Sequence, residues 1–250
     1  MKNLTKRIKI LLLAFLIVGL PASAQENQPQ PEIQILQKNE KSPIEIISSS
    51  NLIVNGNQKI SRESAVKVST LRGGHGSGTF TKIGKHYVVI TAGHVARDNF
   101  IFSVQGEKGE TVIGELIYIS SRVDLAVIKV PNLISRKPAK LKQTNSLEDL
   151  KIGAPVVYTG YPSSYELLTS VAMVSGYEPE YNSVILQGFA WPGSSGSGVF
   201  DRDGKMRGVV VAIGAEELSG IGRQLLETLV YIHPLHEEDI KNIKKILKGG

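Results

Sequence analysis

At 250 residues the chain is long enough for one large domain, or a domain of two barrels, with a proper core. Its 41% hydrophobic and 21% charged residues are ordinary for a globular protein. The net charge of +6 owes most of its size to Lys2, Lys6, Arg7 and Lys9 in an acid-free start; without them 25 basic residues face 23 acidic ones, which removes bulk charge as a reason to expect a nucleic-acid partner. The absence of cysteine excludes disulfides, thiolate metal sites, a lipoprotein anchor and a cysteine nucleophile.

Taken in order, residues 1–24 read as an export signal. A basic start leads into the uncharged run Ile10 to Leu20, and the small residues of Pro21-Ala22-Ser23-Ala24 suit cleavage after Ala24. The apolar run is too short for a membrane span, so a periplasmic or secreted product without a stable membrane anchor is expected. Residues 25–62 form a linker or pro-segment. Gln25 to Lys41 is rich in Gln, Pro, Glu and Asn with little to bury, and the runs flanking Asn55-Gly56 suggest a hairpin. Short β-rich runs then alternate with turns from Ala65 onward. They are Ala65–Leu71, Gly78–Ile83, His86–Ile90, Phe100–Val104, Thr111–Ile119, Asp124–Val130, Pro155–Thr159, Ser170–Val174, Ser183–Gln187 and Met206–Ile213. Strands at this spacing predict an all-β barrel or sandwich over residues 63–250. The last segment predicts a helix. Glu237, Glu238 and Asp239 load its first turn, Ile240, Ile243 and Leu247 share a face, and Lys244, Lys245 and Lys248 precede Gly249-Gly250.

Three stretches carry the chemistry. Trp191-Pro192-Gly193-Ser194-Ser195-Gly196-Ser197-Gly198 sets a serine among small residues, a loop able to turn several N–H groups toward one point beside a hydroxyl, as acyl transfer requires. The same composition also describes a flexible turn. His94 follows the apolar strand Val89-Ile90-Thr91, and Asp124 opens the apolar run Leu125-Ala126-Val127-Ile128. Taken singly, His94 reads as readily as a core or turn histidine, and Asp124 as a turn residue.

Together, in the order His94, Asp124, Ser195, these motifs resemble those of the trypsin-like (chymotrypsin-fold) serine peptidases. Thr91-Ala92-Gly93-His94-Val95 is similar to the family's histidine motif, Asp124-Leu125-Ala126-Val127 to its aspartate motif, and Gly193-Ser194-Ser195-Gly196 to its nucleophile loop. Gly76-Ser77-Gly78 and Gly160-Tyr161-Pro162 extend the resemblance to HtrA-type and other bacterial exported members, over roughly Ser64 to Leu247. The resemblance implies two six-stranded antiparallel β-barrels with a C-terminal α-helix. It also implies Ser195 as nucleophile, His94 as general base and acid, Asp124 as orienter, and the backbone N–H groups of Gly193 and Ser195 as oxyanion hole. The substrate is then a protein or peptide, and neither cofactor nor metal is needed. His75, His86, His233 and His236 lack metal-ligand spacing and read as surface or structural.

Where the family often has Gly and Pro after the nucleophile, this chain has Ser197 and Gly198. HtrA-type members usually carry a peptide-binding PDZ domain beyond the barrels. Here one helix follows them, so PDZ-linked behaviour is not carried over. By the same analogy Phe189, Ala190 and Trp191 face Val211, Ala212, Ile213 and Gly214 across the specificity pocket. No carboxylate lies at its base, and Ala190 and Ala212 replace the Thr and His typical of glutamyl endopeptidases, so a small or medium apolar side chain is expected there. The rival reading is a catalytically silent barrel that holds peptides. An α/β-hydrolase is disfavoured by the motif order and by the lack of strand-helix alternation. Oligomeric state has no signature in the sequence.

Overall fold

The computed structural model describes residues 56–249, apart from residue 72 and residues 219–221. The expected signal, residues 25–55 of the expected linker or pro-segment, and with them the first arm of the expected hairpin, lie outside the described residues. Where the second arm was expected, Gly56–Ser64 forms helix α1 instead. A strand here would have little to bury, since Ile60 is the one large apolar residue in the segment. Polar anchors hold the helix to a barrel wall: the Ser61 hydroxyl donates to Thr159 Oγ1 at 2.9 Å, and Arg62 Nη1 donates to the Leu167 carbonyl at 2.9 Å.

Both barrels expected from the family resemblance are present. The first contains β1 (Ala65–Thr70), β2 (His75–Ile83), β3 (His86–Thr91), β4 (Ile101–Gln105), β5 (Thr111–Ile119) and β6 (Ala126–Lys129). It closes in the order β1-β2-β3-β6-β5-β4, with β4 pairing back onto β1. After the two-residue strand β7 (Lys140–Leu141) comes the second set: β8 (Pro155–Gly160), β9 (Leu168–Glu178), β10 (Ser183–Gln187), β11 (Gly198–Phe200), β12 (Lys205–Leu218) and β13 (Gly222–Pro234). These run β11-β8-β9-β10-β13-β12 and close through the β11–β12 pairing, while β7 adds to β12 in parallel. Strands β7, β11 and β13 go beyond the sequence reading. The first two are too short to show a period, and β13 is apolar on both faces from Leu229 to Ile232, which hides its alternation.

Three apolar clusters explain why some strands alternate and others do not. Val66, Val68, Phe80, Phe102 and Val104 fill the first barrel, and Val156, Val174, Val184, Leu186 and Ile232 fill the second. A third cluster lies between the barrels. On β3, Val89 points into the first barrel while Val88 and Ile90 join the seam; on β12, Val210 points into the second barrel while Val209 and Val211 join the seam. A strand buried on both sides reads as a continuous apolar run, because each successive side chain has a core to enter. Such runs therefore mark the walls where the barrels meet. The expected C-terminal helix is α3 (Glu237–Gly249), which lays Ile240, Ile243 and Leu247 into the same seam. Tyr118 donates its hydroxyl to Asp239 Oδ1 at 2.6 Å and fixes the first turn of α3.

Candidate active site

The three residues singled out in the sequence stand at the ends of seam strands. His94 sits in the one-turn helix α2 (Gly93–Ala96) directly after β3, Asp124 just before β6, and Ser195 just before β11. Because β3 pairs with β6, from Val88 against Lys129 to Thr91 against Ala126, the segment leaving β3 meets the segment entering β6. That register brings His94 and Asp124 together across thirty positions of chain.

Asp124 Oδ2 accepts from His94 Nδ1–H at 2.5 Å, and Asp124 Oδ1 accepts from the His94 backbone N–H at 2.7 Å. The proton is thereby assigned to Nδ1, leaving Nε2 as an acceptor. Both side chains are largely withdrawn from water, at 13% and 11% exposed. Burial pushes the Asp124 carboxyl up, but the hydrogen bond and charge of His94, its backbone N–H and the nearby His233 outweigh that and hold the group below the usual carboxylate range. Asp124 is thus a carboxylate at neutral pH.

The serine-bearing loop is pinned carbonyl by carbonyl. Pro192 O accepts from the Ser163 N–H at 2.6 Å, Ser194 O from the Ser197 N–H at 3.0 Å, and Ser195 O from the Ser77 N–H at 2.7 Å. Gly193 O accepts from the Ser77 hydroxyl at 2.7 Å. The amides of Ser194 and Gly196 are also engaged, by Trp191 O and Val210 O. Among the described residues, the backbone N–H groups of the 193–197 loop that donate to nothing are those of Gly193 and Ser195. In a trans peptide the N–H points opposite the carbonyl, so anchoring Pro192 O and Ser194 O fixes where those two N–H groups aim.

Glycine is required at the bend after the serine. Gly196 has φ +89, and a Cβ there would lie 2.0 Å from Ser77 O and 3.0 Å from Ala92 N. The loop therefore packs directly on the turn that carries His94. No hydrogen bond joins the Ser195 hydroxyl to His94 among the described residues. Such nucleophile–base bonds commonly tighten only when substrate is bound.

Two cavities flank this arrangement, with Val211 lining both. One, of about 430 Å³, is bounded by His94, Asp124, Arg97, Arg122, Glu180 and His233. The other, of about 30 Å³, opens beside Ser195 and brings together Ala190, Trp191, Ala212 and Ile213 of the expected specificity pocket. Phe189 lies instead on an adjoining apolar cavity of about 230 Å³, its ring 5.3 Å from that of Trp191. Gly214 lines neither of the two, whereas Pro192, Ala215 and Leu225, absent from the sequence reading, line the smaller. The wall carrying Ala190 is tied down by Tyr158, whose hydroxyl donates to Phe189 O at 2.6 Å and accepts from the Phe189 N–H at 2.9 Å.

Sequence reasoning also missed the part played by Ser77. Its hydroxyl donates to Gly193 O and accepts from the Tyr161 N–H at 2.8 Å, joining both barrels to the serine loop from a fully buried position. Its place within Gly76-Ser77-Gly78 was the available signal, but nothing in that string says where the hydroxyl points. Ser77→Ala is expected to leave the half-buried Gly193 carbonyl and the buried Tyr161 N–H without this partner, at about 1–3 kcal/mol for the buried group. Urea denaturation should register the loss. The rate of covalent modification of Ser195 should fall too, by less than the hundredfold or more that accompanies loss of an oxyanion donor itself.

A family model described as a trypsin-like peptidase domain matches residues 76–209. No curated protein sequence matches the chain. Among solved structures it is similar to the inactive form of a serine-to-alanine mutant of Rv3671c from M. tuberculosis H37Rv, at 19% identity and a TM-score of 0.57, covering 79% of this chain and 93% of that one. It is also similar to the serine endoprotease from Yersinia pestis, at 18% identity and a TM-score of 0.61 over 82% of this chain and 68% of the other. The HtrA-type protease AlgW, solved with a tripeptide, aligns at 18% identity and a TM-score of 0.61 over 78% of this chain and 64% of that one. At these identities the likeness is one of fold.

Proposed function

The chain belongs to the trypsin-like peptidase family, and on that premise we propose that it is an exported serine endopeptidase working through His94, Asp124 and Ser195. One observation carries the reading. A largely buried His94–Asp124 pair at 2.5 Å abuts a serine loop in which, among the described residues, the Gly193 and Ser195 amides are the ones without a partner. A barrel that only held peptides would have no use for that combination.

In this mechanism Ser195 Oγ attacks the scissile carbonyl carbon while its proton passes to His94 Nε2. The new C–O bond forms, and the carbonyl electron pair moves onto oxygen, where the N–H groups of Gly193 and Ser195 receive the charge. Asp124 stabilises the imidazolium and keeps Nδ1 protonated throughout. Collapse of the tetrahedral species breaks the C–N bond, and His94 returns the proton to the leaving amine. Water, deprotonated by His94, then attacks the acyl-enzyme, freeing the carboxylic acid and the serine.

Fluorophosphonate labelling tests the reading directly. The folded protein should take up one phosphonyl group, mapped to Ser195 by mass spectrometry. Folded protein that stays unlabelled would establish the silent peptide-holding barrel instead. The side chain before the scissile bond should be small, since the cavity beside Ser195 measures about 30 Å³ and is walled by Ala190, Ala212 and Ile213. In matched peptide p-nitroanilides, alanine at that position should exceed phenylalanine or arginine in kcat/KM by about a hundredfold. Equal rates would remove the size argument. The basic, then apolar, then small-residue pattern of residues 1–24 supports export with cleavage after Ala24, which N-terminal sequencing of the exported form checks.

A further inference from the structure

His233 lies outside the three residues of the mechanism, yet it touches one of them. The β12–β13 pairing sets it opposite Val209, on the seam side of the second barrel, where it is 4% exposed. Its Nδ1 accepts from the backbone N–H of Asp124 at 2.7 Å. A ring nitrogen that accepts from an amide is unprotonated, so the neutral ring carries its hydrogen on Nε2, on the side of the Tyr181 main chain. The Asp124 amide is therefore held by a side chain from the opposite barrel, while its carboxylate is held by His94. Both ends of the aspartate are fixed, and only one of them by the family motif.

We propose that His233 is a positioning residue, which anchors the Asp124 backbone across the seam and so aims the carboxylate at His94. The proposal rests on the peptidase reading above. A histidine suits the place because it offers an acceptor at the right reach without a second negative charge beside Asp124. Burial holds its pKa below the usual imidazole range, against the pull of the Asp124 charge. The titratable and charged groups around it are Asp124 from the loop before β6, Tyr181 and Glu180 from the turn after β9, His236 at the approach to α3, and Arg97 and Arg122 across the cavity. His236 is likewise held below the usual range, by burial and then by Arg122, so it adds no cation near neutrality.

The test follows the second-order rate at which diisopropyl fluorophosphate modifies Ser195, as a function of pH. This small probe needs the mechanism and not the peptide pocket. His233→Phe should lower the plateau rate by about tenfold or more. It should also move the acid limb of that profile to lower pH, because a less well aimed carboxylate stabilises a neighbouring positive charge less. His233→Asn, whose Oδ1 can stand where Nδ1 stood, should recover most of the rate and the wild-type limb. If His233→Phe does not fold, His233→Gln takes its place, since its oxygen lies farther out than Nδ1. A folded Phe or Gln variant with wild-type rate and limb overturns the proposal. So does a fall in rate that Asn does not rescue and that leaves the limb unmoved, which is what general loosening of the core would produce. Wild-type protein that never reacts instead overturns the peptidase reading itself, so the two failures are distinguishable.

Discussion

Replacing Ser195 with alanine is expected to lower kcat for peptide hydrolysis by about a million-fold and to abolish fluorophosphonate labelling, with no loss of stability. The chemical effect is large because every covalent step runs through the one oxygen removed. His94 then has no hydroxyl to deprotonate, and only binding and the Gly193 and Ser195 amides remain, which sustain about a thousand- to ten-thousand-fold over water. The structural effect is small for a reason visible in the loop. Ser195 is held by its main chain, its carbonyl accepting from the Ser77 N–H at 2.7 Å, and alanine keeps that bond. The hydroxyl joins none of the loop's hydrogen bonds, so its removal orphans nothing. The variant should match wild type to within about 0.5 kcal/mol in urea denaturation. A variant that still hydrolyses peptides at an appreciable fraction of the wild-type rate would remove Ser195 from the mechanism.

Asp124→Asn should cost about ten-thousand-fold in kcat while leaving the barrels intact. Asparagine has one oxygen where aspartate has two. If that oxygen keeps the bond to the His94 backbone N–H, as Oδ1 does now at 2.7 Å, the amide NH₂ faces Nδ1 in place of Oδ2. Two donors cannot share that contact, so Nδ1 must lose its hydrogen and Nε2 must take it. The ring then presents an N–H to Ser195 instead of a lone pair and cannot act as base. The reversed rotamer restores the acceptor for Nδ1 but sets the amide hydrogens against the His94 N–H. Neither orientation satisfies both partners. Fluorophosphonate labelling should slow in parallel with kcat, and far-ultraviolet circular dichroism should be unchanged. A loss of less than about tenfold would mean that the tautomer of His94 is set by something other than Asp124.

Much of this site is legible in the sequence because its members sit in local strings with local physical meaning. Ser195 lies among glycines that permit a bent loop, and His94 and Asp124 lie at the ends of apolar runs. Those runs, Val88 to Ile90 and Leu125 to Ile128, are continuous because both faces are buried, and the same double burial places their ends at the seam. The hairpin expected around Asn55-Gly56 failed in its second arm for the converse reason: Gly56–Ser64 has no alternating apolar face, and hydrogen bonds to distant residues decide its helical form.

The linear chain by itself therefore marked most of the barrel strands and the C-terminal helix, since periodicity acts over a few positions, and the resemblance of three local motifs to a family singled out the residues of the proposed mechanism. The tertiary structure alone decided which side chains support them. Ser77 reaches Gly193 over 116 positions and His233 reaches Asp124 over 109, and both contacts depend on how two closed barrels face each other. A hydrogen bond is directional and short, and only strand register brings a donor and an acceptor that far apart in sequence to within 3 Å.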